Sequence, residues 1–103
     1  MKRLIKPSAC GNIQEIRDAI DVIDREIIQL FALRHEYIKE IVKYKSSDEE
    51  GIIARERKEQ VLKQRKAWAE KRGLDADMME EVFRLLLNKN IQIQFGIIKS
   101  NNK

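Results

Sequence analysis

The residues of this chain that call for a chemical explanation are polar side chains at positions where a helical pattern predicts apolar ones. Arg34 interrupts such a pattern, and its neighbours three and four positions away include Leu30 and Tyr37 but no acid. A guanidinium that is buried without an anion is strongly destabilising. Either a carboxylate from another helix or a partner chain, or an anionic ligand, must therefore meet Arg34, and the sequence alone leaves both explanations open.

Two further cations border the same pattern. Lys45 extends it about three turns beyond Arg34, and Arg17 lies beside its start. Each has acids of its own within one turn, Asp48 and Glu49 for Lys45 and Asp21 for Arg17. Surface ion pairs would explain both cations without any ligand.

A pair of amides repeats the theme near the end of the chain. Asn90 and Gln94 share a helical stripe with Phe83, Leu87 and Ile97, at steps of three and four. Buried amides need hydrogen-bond partners. Structural bonds between helices and a bound ligand would both supply them.

Arg55 and Glu56 follow a polar, acidic segment, residues 46–51, that ends in glycine and predicts a loop able to close over a site. Charge runs of this kind are mostly solvated faces. Arg55 and Glu56 would indicate a binding site only if the other polar residues lie close to them.

The usual reactive groups are scarce in this sequence. His35 is the only histidine, Cys10 is the only cysteine, and no glycine-rich phosphate loop is present. We therefore expect no metal and no cofactor. The remaining cations and amides suit catalysis by orientation and electrostatics, without a nucleophile.

The elements that must position these residues are predicted to be helices. Hydrophobic residues make up 43% and charged residues 37% of the 103 residues, with only 4 glycines and 1 proline. Residues 1–11 form an arm, and residues 46–51 connect the first two helices. The predicted helices run from a cap at Asn12 with Glu15 to about residue 45, from about 53 to 72 before Gly73, and from a cap at Asp77 with Glu80 to about 98.

The first of these helices is too long for a compact monomer of this size. Its 34 or so residues span roughly 50 Å. Two such rods packed together would bury their apolar stripes, so we expect a single all-α domain that forms a homodimer.

Charge and cysteine content bear on the partners and the cellular compartment of the protein. The net charge of +4 is mild and the basic residues are interleaved with acids, so nucleic acid is not required as a partner. A lone cysteine, no signal-peptide core and no apolar run long enough to span a membrane together predict a cytoplasmic protein.

The polar positions and their spacing resemble the all-α AroQ class of chorismate mutases over about residues 10 to 98. The residues that carry this resemblance are Ile16-Arg17-Asp18, Ile20-Asp21, Ile23-Asp24, Arg34, Lys45, Arg55-Glu56-Arg57, Gly73-Leu74-Asp75 and Gln94. The resemblance implies an intertwined homodimer of three-helix chains, with long first and third helices and two equivalent sites for a chorismate-type dicarboxylate.

Within that class the likeness is greater to isochorismate pyruvate lyases. It rests on residues 7–10, on residues 68–70 and on residues 73–76. Ile52 also stands where typical mutases carry an aspartate that helps to bind a substrate hydroxyl that isochorismate lacks. Arg55 and Glu56, in contrast, are mutase-like.

The resemblance also implies a role for each site residue. Arg17 from the partner chain and Arg34 would bind carboxylates, Lys45 and Gln94 would flank the ether oxygen, and Asn90 would lie near the ring carboxylate. Arg55 and Glu56 would line the far side of the site.

Three functions are therefore open. The first is an isochorismate pyruvate lyase that releases salicylate and pyruvate, with secondary mutase activity. The second is a chorismate mutase, and the third is a basic helical binding module. The interior positions predicted for Arg34 and Gln94 disfavour the third, because a nucleic-acid surface needs its cations outside.

Overall fold

The computed structural model describes residues 4–44 and 55–101. Within these ranges the chain is all-α, with helices α1 (Ile13–Ile41), α2 (Arg55–Lys71) and α3 (Ala76–Asn101) and two short 3-10 turns, Pro7–Ala9 and Val42–Tyr44. The prediction of three helices with a long first and a long third is confirmed. Lys45 and the predicted loop 46–51 lie outside the described residues, as do the side chains of Arg55 and Glu56.

The chain divides into two compact units, residues 1–37 and residues 38–103. The first unit contains most of α1, and its start is capped as the sequence predicts. The Asn12 side chain accepts a hydrogen bond from the Glu15 backbone N–H at 2.9 Å. The Glu15 carboxylate returns the interaction one residue earlier than in the usual box, by accepting from the Gly11 N–H at 2.9 Å.

The apolar stripe of α1 remains exposed along its length. No residue of α1 is buried, and every residue of the stripe is exposed by at least 38%, the value at Ile23. The stripe consists of Ile16, Ile20, Ile23, Ile27, Leu30, Tyr37 and Ile41. The regular helix ends at Ile41, and its last predicted turn is a 3-10 turn instead.

In the second unit, α2 and α3 pack against each other as an antiparallel hairpin. Gly73 ends α2 at a φ of 73°, a backbone conformation that glycine adopts without strain. The Leu74 N–H donates to the Ala69 carbonyl and the Gly73 N–H to the Glu70 carbonyl, which completes a Schellman motif. The predicted stop at Gly73 is therefore correct.

The cap of α3 differs from the prediction. Asp75, and not Asp77, accepts hydrogen bonds from the backbone N–H groups of Asp77 and Met78, at 3.0 and 3.1 Å. Glu80 therefore takes no part in capping α3. It turns towards α2, where its carboxylate meets Lys66.

The core of the hairpin is small. Within the described residues it consists of three buried apolar residues on one face of α2, namely Val61, Leu62 and Ala69. The three- and four-residue spacing predicts that Trp68 also lies on this apolar side, but Trp68 is 56% exposed because it lies at the edge of that face. Arg65 lies over it instead, with its guanidinium carbon 4.5 Å from the Trp68 ring centre and 5.8 Å from the Phe83 ring centre.

Candidate active site

The two amides of α3 are the polar side chains that the described structure buries most completely. Asn90 is 7% exposed and Gln94 is 4% exposed, one turn apart on the same face. The Oε1 atom of Gln94 accepts no hydrogen bond from any described residue. A buried acceptor in this state is costly unless a ligand or another chain satisfies it.

Arg34 lies half-buried on α1. Loss of water around its guanidinium lowers its pKa from the ordinary value, because burial disfavours the charged form. Most of the surrounding stripe is more exposed than Arg34, including Leu30 and Tyr37. A partly desolvated cation of this kind gains more from a carboxylate than a fully solvated one does.

Arg17 is exposed near the other end of α1. Arg17 and Arg34 belong to one continuous helix, 17 positions apart. That spacing separates them by roughly 25 Å along the axis and turns them about 100° apart around it. A small dicarboxylate cannot reach both arginines of the same chain.

Arg55 and Glu56 form the first turn of α2, level with the α3 turn that carries Asn90. The ion pair between Lys66 and Glu80 and the hydrogen bond between Lys58 and Asn88 set this register. Lys58 lies eight positions before Lys66 on α2, and Asn88 lies eight positions after Glu80 on α3. Two more positions in the same directions place position 56 level with position 90.

The described residues contain no group of three histidine, cysteine or acidic side chains placed to hold a metal ion. None of the helices within those residues has a stretch both long and apolar enough to cross a membrane.

The sequence pattern of one protein family, described as chorismate mutase type II, matches residues 16–95. The chain belongs to this family. The matched segment contains all seven of the predicted site residues.

The chain is also similar in sequence to two named proteins that differ in length. It is 39% identical to an isochorismate pyruvate lyase of Pseudomonas aeruginosa over 82 residues, which cover 80% of both chains. It is 37% identical to a T-protein of Haemophilus influenzae over 92 residues, which cover 87% of this chain but only 24% of that protein. The match to the lyase therefore spans most of both proteins, whereas the T-protein is much longer than this chain.

As a member of the chorismate mutase type II family, the chain is an enzyme whose family substrate is a chorismate-type dicarboxylate. Each unit has polar groups of a kind that such a substrate binds: the first has the half-buried guanidinium of Arg34, a cation for a carboxylate, and the second has the buried amides of Asn90 and Gln94, polar groups for oxygen atoms. They offer no nucleophile. This chemistry favours rearrangement or cleavage within one bound molecule.

The sequence reasoning missed the contacts that hold α2 against α3. Lys58 donates to the Asn88 side chain at 2.9 Å, and the Arg65 guanidinium lies over the rings of both Trp68 and Phe83. The positions of Gly73 and Asp75 contained a usable signal, because a tight turn there fixes which residues of the two helices face each other.

Proposed function

We propose that this protein is an isochorismate pyruvate lyase that converts isochorismate to salicylate and pyruvate, with a slower chorismate mutase activity. The observation that carries the proposal is the 39% identity to a named lyase over 80% of both chains. The buried amides and the half-buried arginine support it, because they provide polar groups where a dianion would need them.

In the proposed reaction the ring C–O bond to the enolpyruvyl group breaks. A ring hydrogen moves to the terminal methylene carbon, which becomes the methyl group of pyruvate, and the ring becomes aromatic as salicylate. Atoms and electrons balance within the one substrate. The enzyme therefore has to fold the enolpyruvyl arm over the ring and stabilise the charge that develops on the ether oxygen.

Lys45 and Gln94 are the proposed partners of that oxygen. The buried position of Gln94 supports its role, since a 180° rotation of the amide exchanges its open acceptor for an N–H donor. Asn90, one turn earlier, would bind the ring carboxylate. Arg55 and Glu56 would line the far side of the ring.

Two arginines would bind the carboxylates from different chains. Because Arg17 and Arg34 are roughly 25 Å apart on one helix, a site that uses both must take Arg17 from a second copy. The exposed stripe of α1 supports the same arrangement, since a second α1 would remove that apolar surface from water. Sedimentation as a 12.2 kDa monomer at working concentration would contradict the proposed homodimer.

Chorismate mutase as the main activity is the second candidate. It is favoured by the family itself and by Arg55 and Glu56, which resemble the mutase pattern. The two candidates differ in substrate and not in the clamp that holds it.

Separate incubations with isochorismate and chorismate distinguish the two candidates. Salicylate fluorescence follows the first reaction, and loss of chorismate absorbance follows the second. Fast salicylate release with slow chorismate loss is the expected result. The reverse would make the protein a mutase, and no turnover of either would contradict both activities.

A further inference from the structure

Among the described residues, the α2–α3 hairpin is held by more polar interactions at the end with the turn than at the opposite end. Gly73 and its Schellman motif close the end with the turn, and Lys66 reinforces it through Glu80 at 3.0 Å and Asp77 at 3.5 Å. The opposite end carries position 56 level with position 90. The polar contact described there is the hydrogen bond from Lys58 Nζ to Asn88 Oδ1.

That contact lies next to the proposed site on both helices. Lys58 follows Glu56 by two positions, and Asn88 precedes Asn90 by two. Lys58 is half-buried and belongs to the face of α2 that also carries Leu62. Its side chain therefore spans the gap between the helices at the level where the first turn of α2 must meet α3.

We propose that Lys58 and Asn88 form a positioning pair that holds the first turn of α2 against the Asn90 turn of α3, so that the substrate-binding groups of both helices keep one geometry. The inference rests on the proposed function, because it assigns the pair a role in that same site. Neither residue touches the substrate. The pair acts by raising the fraction of molecules in which the two turns are aligned.

This role predicts a specific kinetic pattern. When the pair is broken, fewer free molecules are competent to bind, so KM rises in proportion. A saturating substrate restores the aligned arrangement, so kcat stays the same. Because Asn88 is exposed, its hydrogen bond with Lys58 contributes little free energy, and we expect KM to rise by at most about three- to fivefold.

The test compares Lys58→Met, Asn88→Ala and the double variant with wild type, using the preferred substrate. Each single variant is expected to raise KM by the same factor with kcat within about twofold, and the double variant to raise it no further, because one contact is lost in all three. Lys58→Arg and Asn88→Asp keep a donor or an acceptor and should restore KM. Lys63→Met removes an exposed lysine from the same helix and should have no effect.

Hydrogen exchange at the amides of residues 59–61 provides a readout that needs no turnover. Faster exchange in Lys58→Met than in Lys63→Met is expected. A KM in Lys58→Met equal to that of Lys63→Met, additive effects in the double variant, or a fall in kcat would overturn the proposal. A wild-type protein that turns over neither substrate would instead contradict the proposed function, and the exchange experiment would still report whether the pair holds the helices together.

Discussion

Gln94 is the residue at which folding and function make opposite demands. Its side chain is 4% exposed, yet its carbonyl oxygen has no hydrogen-bond partner within the described residues. A leucine at this position would suit an apolar interior better. A ligand or another chain that completes the hydrogen bonding of the amide would remove this cost, and the proposed function supplies a ligand.

Replacement of Gln94 by leucine should consequently separate activity from stability. We expect kcat to fall by roughly 10²-fold, because a group on the ether oxygen is lost. The free energy of unfolding should change by less than about 1 kcal/mol, since leucine removes a buried oxygen that has no hydrogen bond together with the N–H groups of the same amide. Urea unfolding and steady-state kinetics measure the two effects.

Leu62→Ala is the matched control, because Leu62 is 3% exposed and apolar. It should lower the free energy of unfolding by about 2–5 kcal/mol and leave kcat per folded molecule near wild type. A Gln94→Leu variant that loses stability as Leu62→Ala does would assign Gln94 a structural task.

Lys45 carries a prediction of its own through the proposed mechanism. Lys45→Ala should lower kcat by roughly 10²- to 10³-fold with a smaller change in KM, because its charge acts mainly in the transition state. Lys43→Ala removes an equivalent charge two positions away, where Lys43 pairs with Glu40 at the surface at 2.8 Å. Similar kcat values for the two variants would contradict the role of Lys45.

At the scale of helices, backbone conformation decides how α2 ends and α3 continues. Gly73 and Gly96 both have open space where a Cβ atom would lie. They differ in backbone, since Gly73 has a φ of 73° whereas Gly96 lies within α3. Sterics are the same at both sites, so alanine substitutions there isolate the backbone effect.

Gly73→Ala should lower the free energy of unfolding by about 1 kcal/mol, because an L side chain disfavours a positive φ. Gly96→Ala should raise it by about 0.5–1 kcal/mol, because alanine loses less entropy in a helix. Thermal or urea unfolding of the two variants measures both. Shifts of the same sign would contradict this explanation.

The electrostatic link between α2 and α3 makes a prediction about pH. Hydrogen bonds from Arg84 and then Lys66 hold the pKa of Glu80 below its ordinary value of 4.5, and Glu80 raises the pKa of Lys66. A lowered carboxyl pKa stabilises the fold above the unfolded value and loses that contribution as pH falls through the folded value. The raised pKa of Lys66 has the opposite limit and matters only at alkaline pH.

Glu80→Gln should therefore lower the unfolding midpoint at pH 7, and the difference from wild type should shrink as pH falls below about 4.5. Unfolding followed by circular dichroism across this range measures it. Glu81→Gln is the control, an exposed neighbour for which no ion pair is described. A gap that persists at low pH would exclude the ion pairs as its cause.

At the scale of the whole molecule, the proposed site joins two chains. Arg17→Ala and Arg34→Ala should each inactivate the homodimer, because each removes a carboxylate contact from both sites. A mixed dimer of the two variants keeps one complete site, with Arg17 from one chain and Arg34 from the other. Unfolding and refolding an equal mixture should restore about a quarter of wild-type activity, since half of the dimers are mixed.

Sedimentation of the same samples should show dimers throughout. If dimers form in the refolded mixture but no activity returns, the proposal that each site takes Arg17 and Arg34 from different chains is wrong. Recovery at the expected level would show that one site takes Arg17 and Arg34 from different chains.

The sequence by itself determined the class of structure and the family. Periodic apolar residues, the cap at Asn12 and the stop at Gly73 are local signals, and local backbone chemistry decides helices. The prediction of buried amides at Asn90 and Gln94 was correct for the same reason, because a helix repeats its face every three to four residues. Only the tertiary structure decided how those faces are used.

Asp75 caps α3 in place of Asp77 through a local contact two and three positions along the chain, so the sequence did contain that signal. Two other details depended on distance in space and not on sequence position. Trp68 lies exposed, because the edge of a helix face is defined by the neighbour it packs on. Lys58 meets Asn88, 30 positions later, because the hairpin register aligns them. Contacts of this kind are set by packing between helices, which no local pattern in the sequence encodes.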